Sequence, residues 1–207
     1  MIKSPFFVIE DAVSPAKCDL ITQQLGIQVP SIDTDGRPLK HERLVVDAAL
    51  LSYLHEAITP SLDALEERYD SPLRGFLPPI FQQYFENPNR PAEKHGCESS
   101  EYKRKKWTKV KDVDLVGFLW LKDFNSGVPL DPRFETYGGK LEFPAFNFSL
   151  VPSRGTIVIF PAGPHFITAI SPVLVGSLEM VKLNLQLKAG WTYDPRSYPG
   201  TFTEWFN

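Results

Sequence analysis

Apolar residues recur at helical spacing along the first third of the chain and at strand spacing along the rest, and this change of period sets the expected fold. Residues 6–9 form a short β-prone run. Ser14 and Pro15 then supply an N-cap and a proline suited to the first helical turn. The helix that follows ends near Leu25 and Gly26 and places Cys18, Ile21 and Leu25 on one face, so it is amphipathic and lies on a core. From Asp47 a second helical pattern sets Leu51, Leu54, Ile58, Leu62 and Leu65 three or four residues apart. Pro60 interrupts it. Because proline removes a backbone donor and clashes with the preceding turn, it opens a second helix or kinks the first.

Beyond Pro78 and Pro79 the pattern turns to β, with runs at residues 80–85, 114–121, 140–143, 156–160, 165–170 and 179–188. In the last run Val181, Leu183, Leu185 and Leu187 alternate with Lys182, Asn184, Gln186 and Lys188. The apolar set is predicted to face a barrel interior and the polar set to face water. Turn signals separate the runs, among them Gly138-Gly139, the stretch from Pro152 to Gly155, and Gly163-Pro164. Helices first and short strands after them give an α+β order, with N-terminal helices packed on the outer face of a mainly antiparallel sandwich or barrel. A single domain over 1–207 is expected: 1–78 as mainly helical support, 79–190 as the β core and 191–207 as an aromatic C-terminal tail.

Composition narrows the classes. With 207 residues, 43% of them hydrophobic and 23% charged, the chain can bury one core without staples. Its longest apolar run, near residues 116–121, is far short of the roughly 20 that span a bilayer, so no membrane partner is expected. A net charge of -3 leaves no global basic field, and any charge effect must be local. Glu10 and Asp11 follow the first apolar stretch directly, without the longer apolar region of a secretory signal, which implies a cytoplasmic protein with Cys18 and Cys97 both reduced. Proline accounts for 19 of 207 residues, nearly twice its usual share of about 5%. Such a chain is cut into short elements.

Three segments stand out by composition. The run Tyr102-Lys103-Arg104-Lys105-Lys106-Trp107 is densely basic with an aromatic at each end, which reads either as a solvated loop or as a nucleic-acid contact through Lys103, Arg104, Lys105 and Lys106. Residues 122–137 form a long insertion between strands, a place where lids and contact arms occur. Trp191, Tyr193, Tyr198, Phe202, Trp205 and Phe206 crowd the tail, and so much aromatic surface either covers the chain's own sheet or docks on a partner in a homo- or hetero-oligomeric assembly. His41 and His55 have no partner pattern.

Two stretches carry a family likeness. Phe6-Phe7-Val8-Ile9-Glu10-Asp11-Ala12-Val13-Ser14 followed by a helix resembles the start of the Fe(II)/2-oxoglutarate oxygenases of the prolyl-4-hydroxylase type. Gly138-Gly139-Lys140-Leu141-Glu142-Phe143-Pro144, then Val151 to Pro161, then Ser171-Pro172-Val173 before Gly176, is similar to that family's second half in order and spacing. The resemblance implies a double-stranded β-helix, a jelly-roll of two sheets. It also implies iron held by two histidines and a carboxylate, with an Arg or Lys ten residues beyond the second histidine binding the far carboxylate of 2-oxoglutarate.

Against that pattern, His95 stands in the first position, but the carboxylate position is Cys97 and Glu98 comes one residue late. The family's spacing puts Thr168 at the second histidine and Leu178 at the cosubstrate anchor. Displaced substitutes are His165 for the second histidine and Lys182 for the anchor, giving His95, Glu98 and His165 as the candidate metal set. The resulting expectation is an oxygenase-fold protein without catalysis and without cofactor, acting as a binding or structural component, with a phage virion or assembly as the setting that the resemblance implies. The rival expectation is an active dioxygenase using Fe(II) and 2-oxoglutarate through the displaced residues.

Overall fold

The computed structural model describes residues 4–88, 93–94, 97, 99–104, 106–125, 131–190 and 196. In chain order, the first part of the chain gives β1 (Phe7–Ile9), α1 (Pro15–Leu25), β2 (His41–Leu44), α2 (Ala48–Ile58), a short 3-10 turn at Thr59–Ser61, and α3 (Leu62–Tyr69). Then come β3 (Leu73–Phe85), β4 (Glu93–Lys94), β5 (Ser100–Lys103), β6 (Lys106–Lys109), β7 (Leu115–Trp120) and β8 (Asp123–Phe124). The rest comprises β9 (Glu135–Gly138), β10 (Leu141–Phe143), β11 (Phe148–Leu150), β12 (Ile157–Pro161), β13 (Ala169–Ile170), β14 (Val173–Val175) and β15 (Ser177–Leu187).

The helices form where expected. Pro15 opens α1, and Cys18, Ile21 and Leu25 are buried on it. Ser14 makes no side-chain cap, so the proline alone sets this start. At α2 the Asp47 carboxylate accepts from the backbone amides of Ala49 and Leu50, at 2.9 and 3.1 Å. Pro60 breaks the long pattern through a 3-10 turn and lets α3 begin at Leu62. The buried line on α2 is Leu50, Leu54, Ala57 and Ile58, whereas Leu51 is exposed.

A six-stranded antiparallel sheet in the order β1-β12-β7-β15-β3-β2 is the main layer. Opposite it lies a four-stranded antiparallel sheet, β11-β10-β13-β4. Two cores result. One joins α1, α2 and α3 to the outer face of the main sheet through Ile21, Leu54, Leu65, Phe81, Leu119 and Leu183. The other fills the space between the sheets with Phe6, Phe118, Trp120, Phe143, Phe160 and Met180. Gly155, at φ +81°, lets the N-terminal segment close on this frame: a Cβ there would lie 2.2 Å from the Val13 carbonyl oxygen. Val13 N donates to the Gly155 carbonyl across the same contact, at 3.1 Å.

Several expectations are corrected. Strand β3 begins at Leu73, not after the prolines, because the register with β15 shifts between Lys182 and Asn184 and the irregularity accommodates Pro78 and Pro79. Alongside the three helices of the first 78 residues, β1, β2 and half of β3 belong to the main sheet. Gly163 and Pro164 turn the chain into a 3-10 turn, Pro164–Phe166, so only Ala169–Ile170 of the expected run 165–170 is strand. The described residues of the insertion 122–137 include β8 and the start of β9, so it is not without secondary structure, and Lys122 is buried.

Strand β15 departs most from expectation. Val181, Leu183, Leu185 and Leu187 do share one face, but that face packs on the helices, and Lys182 and Asn184 are buried on the barrel side, each less than a tenth exposed. Both faces of a central strand in a layered fold are covered, so alternation here separates two interiors instead of an interior and water.

One ion pair ties the layers together. Lys122 Nζ lies 3.0 Å from Glu179 Oε1, with side chains 5% and 2% exposed. Thr22 of α1 donates to the Glu179 carboxylate at 2.7 Å, and Ser177 and Gln83 donate to it at 2.9 and 3.2 Å. Lys122 also donates to Ser177 Oγ and to the Pro132 carbonyl. Replacing Glu179 alone by Leu strands a buried ammonium and should cost about 3–5 kcal/mol. Adding Lys122→Met should recover most of that loss. Urea midpoints of the single and double variants check this, and equal midpoints for the single variant and the parent would contradict it.

Candidate functional site

The space between the sheets is where the chain keeps polar groups that packing alone does not call for. Along β15 the barrel-facing residues are Leu178, Met180, Lys182 and Asn184. Lys182 stands opposite Phe118 on β7 and Ile80 on β3, while Asn184 stands opposite Val116 and Leu77. One step along β3, Gln82 is 1% exposed and pairs with Met180 on one side and Glu42 on the other. Its amide nitrogen donates to Glu42 at 2.5 Å. Lys40 Nζ lies 3.1 Å from the same carboxylate and 5.4 Å from the centre of the Tyr84 ring.

Two acceptors on this face, Gln82 Oε1 and Asn184 Oδ1, have no hydrogen-bond partner among the described residues. A buried acceptor left so costs about 1–3 kcal/mol, so a molecule or water that donates to these atoms is energetically favoured there. Burial opposes ionisation of Glu42, yet hydrogen bonds from Gln82 and Lys40 and the positive charges of Lys40 and Lys182 hold its carboxyl below the usual value. Lys182, expected on a solvated face, thus belongs to a mixed-charge inner surface.

The residues that the resemblance assigns to the metal and cosubstrate positions behave differently. Thr168 is 3% exposed, immediately before β13, and Ala169 beside it pairs with Lys94, the residue before position 95 in the chain. The Cys97 thiol donates to the Ala162 carbonyl at 3.1 Å. Leu178 is a core residue, 1% exposed. His165 is exposed on the 3-10 turn, where it lines a cleft of about 490 Å³ with Ser99, Lys109 and Asp114. His95 and Glu98 lie outside the described residues, as do Trp191, Tyr193, Tyr198, Phe202, Trp205 and Phe206. Among the described residues no three His, Cys, Asp or Glu side chains come together in a way that could hold a metal ion.

At the positions the resemblance assigns, a threonine hydroxyl and a thiol committed to a carbonyl do not fit an iron that needs two imidazoles and a carboxylate, and a leucine cannot pair with the far carboxylate of 2-oxoglutarate. Gln82, Glu42 and Lys40 were invisible in the sequence because only the pairing of β2 with β3 brings them together. Asn184 carried a signal, its shared parity with Lys182.

The Glu42 contacts give a pH prediction. A carboxyl held below its unfolded pKa contributes stability that is complete above the unfolded value and disappears as pH falls through the folded one. Glu42→Gln should therefore be less stable than the parent at pH 7, by less than about 1 kcal/mol because the side chain is partly solvated. The gap should close towards about pH 3. Urea midpoints at the two pH values read it, and a gap that widens in acid would refute the assignment.

No protein-family model matches the sequence, and no curated protein does. The folded chain does match solved structures. The viral collagen prolyl hydroxylase of Paramecium Bursaria Chlorella virus-1, as its 2OG complex, aligns with a TM-score of 0.60 at 15% identity, covering 88% of this chain and 96% of that one. A Pseudomonas putida prolyl-4-hydroxylase aligns with a TM-score of 0.57 at 14% identity, over 88% and 92% of the two chains. HygX from Streptomyces hygroscopicus, with nickel and 2-oxoglutarate bound, gives 0.55 at 10% identity, over 96% and 91%. With the two-sheet barrel and its outer helices already in view, these matches establish the architecture: the chain has the double-stranded β-helix fold of the prolyl hydroxylases and 2-oxoglutarate-dependent oxygenases.

Proposed function

We propose that this oxygenase-fold protein has lost iron-dependent oxidation and works as a binding or structural component. The observation that carries the reading is Thr168, buried at the edge of β13 where the family resemblance requires the second histidine. Leu178 in the core and the hydrogen-bonded Cys97 thiol support it from the other two positions. When bound in this fold, iron supplies oxygen activation, and nothing in this donor set substitutes for the missing imidazole. The barrel side still offers Lys182, Gln82, Asn184 and the Glu42–Lys40 pair, which suit recognition of a small polar molecule better than oxidation. An assembly such as a phage virion is the setting the family resemblance implies for such a component.

A second reading, an active dioxygenase with displaced ligands, is favoured by one observation: Lys182 is buried on the barrel side, where a cosubstrate carboxylate would need it. It loses support at His165, which is exposed on a turn outside the strands.

The two readings diverge in one assay. Purified protein supplied with Fe(II), ascorbate and 2-oxoglutarate should release succinate no faster than the same mixture without protein. Iron-dependent succinate release abolished by His95→Ala would overturn the non-catalytic reading.

A further inference from the structure

The basic run expected as a loop is a hairpin. Among the described residues, strands β5 and β6 pair only with each other, with Tyr102 opposite Trp107 and Lys103 opposite Lys106. Its base is fixed to the barrel: Ser99 N donates to the Ala162 carbonyl, Val110 and Lys111 donate to Ser99, and Lys109 pairs with the buried Asp114 at 2.9 Å. The ribbon itself belongs to neither hydrophobic core among the described residues.

Two features of the ribbon stand out. Lys103 and Lys106 are direct cross-strand neighbours, an arrangement in which like charges repel. Tyr102 is 60% exposed. A two-stranded ribbon is marginal by itself, so the like-charge pair weighs on its stability. Lys103 has Glu101 as a partner, whereas Arg104, Lys106 and Lys111 have no ion-pair partner among the described residues. The cationic end is braced by the Tyr102 and Trp107 rings, 5.3 Å apart at 53°. In a chain whose net charge is -3, this concentration of positive charge is local to one projecting element.

We infer that the β5–β6 hairpin is a binding surface for single-stranded nucleic acid. A phosphate backbone relieves the Lys103–Lys106 repulsion, and unstacked bases find a ring face on Tyr102 beside Trp107. An acidic peptide would meet the charges but make no use of the exposed Tyr102 face. Duplex DNA keeps its bases stacked and unavailable to them. The inference stands apart from the iron question, since the hairpin lies outside the barrel interior.

Fluorescence anisotropy of a labelled oligo-dT with the full chain tests it, alongside a duplex of the same length, polyglutamate and phosphatidylserine vesicles. Oligo-dT should bind more tightly than the other three, and its affinity should fall with added salt. Tyr102→Ala with Trp107→Ala should weaken oligo-dT binding by about tenfold or more. Lys103→Ser with Lys106→Ser should lower the salt slope and raise the melting temperature by removing the repulsion. An unchanged melting temperature in the ring variant certifies its fold; if it falls, Tyr102→Ala alone supplies the ring test. Preference for polyglutamate or vesicles, equal affinity for duplex and single strand, insensitivity to ring loss, or no binding of oligo-dT each overturns the proposal.

Discussion

Strand β15 is the constraint on which the rest of the molecule depends. It lies between β7 and β3 in the main sheet, and both its faces are covered. Val181, Leu183, Leu185 and Leu187 commit one face to the helices, and that apolar surface fixes where α1 and α2 must lie. The opposite face then necessarily looks into the barrel, carrying Leu178, Met180, Lys182 and Asn184. A one-residue slip would exchange the two sets, burying charge under the helices, so register and function are specified together.

The division of labour between the faces explains how this fold can hold together without help from its chemical positions. Stability comes from the helix-side core and from the aromatic packing of Phe118, Phe143 and Phe160 between the sheets. Neither depends on a metal. Thr168 and Leu178 are both buried and fit this packing as they stand, 3% and 1% exposed. Fold and chemistry are separable here because different residues carry them. The Lys122–Glu179 pair acts at another level. Its desolvation makes it a poor source of net stability, but its hydrogen bonds to Thr22, Gln83 and Ser177 reward only one seating of α1 against the sheet.

Much of this was legible in the sequence where the signal is local. Pro15, Asp47 and Pro60 mark helix ends by backbone chemistry that needs no tertiary context, and the alternation along β15 shows which residues share a face. Alternation does not say what covers each face. Lysine at 182 argued for water, and only the second sheet makes that side an interior. The prolines at 78 and 79 read as a boundary because a bulge that accommodates them depends on the partner strand. Spacing singled out Thr168 and Leu178 only through a resemblance, and the Glu42–Gln82 contact spans forty residues of chain and exists only through strand pairing.

Loss of the iron site is the claim on which the functional reading turns, and metal binding tests it without requiring any substrate to be known. Mn(II), an EPR-visible ion that accepts the same nitrogen and oxygen donors, can be titrated into the protein in the presence of 2-oxoglutarate. The expected result is the full six-line spectrum of the hydrated ion, matching a control that contains 2-oxoglutarate without protein at every addition. Stoichiometric loss of that signal on adding protein, reversed in His95→Ala, would contradict the reading and return the chain to the catalysts of its fold.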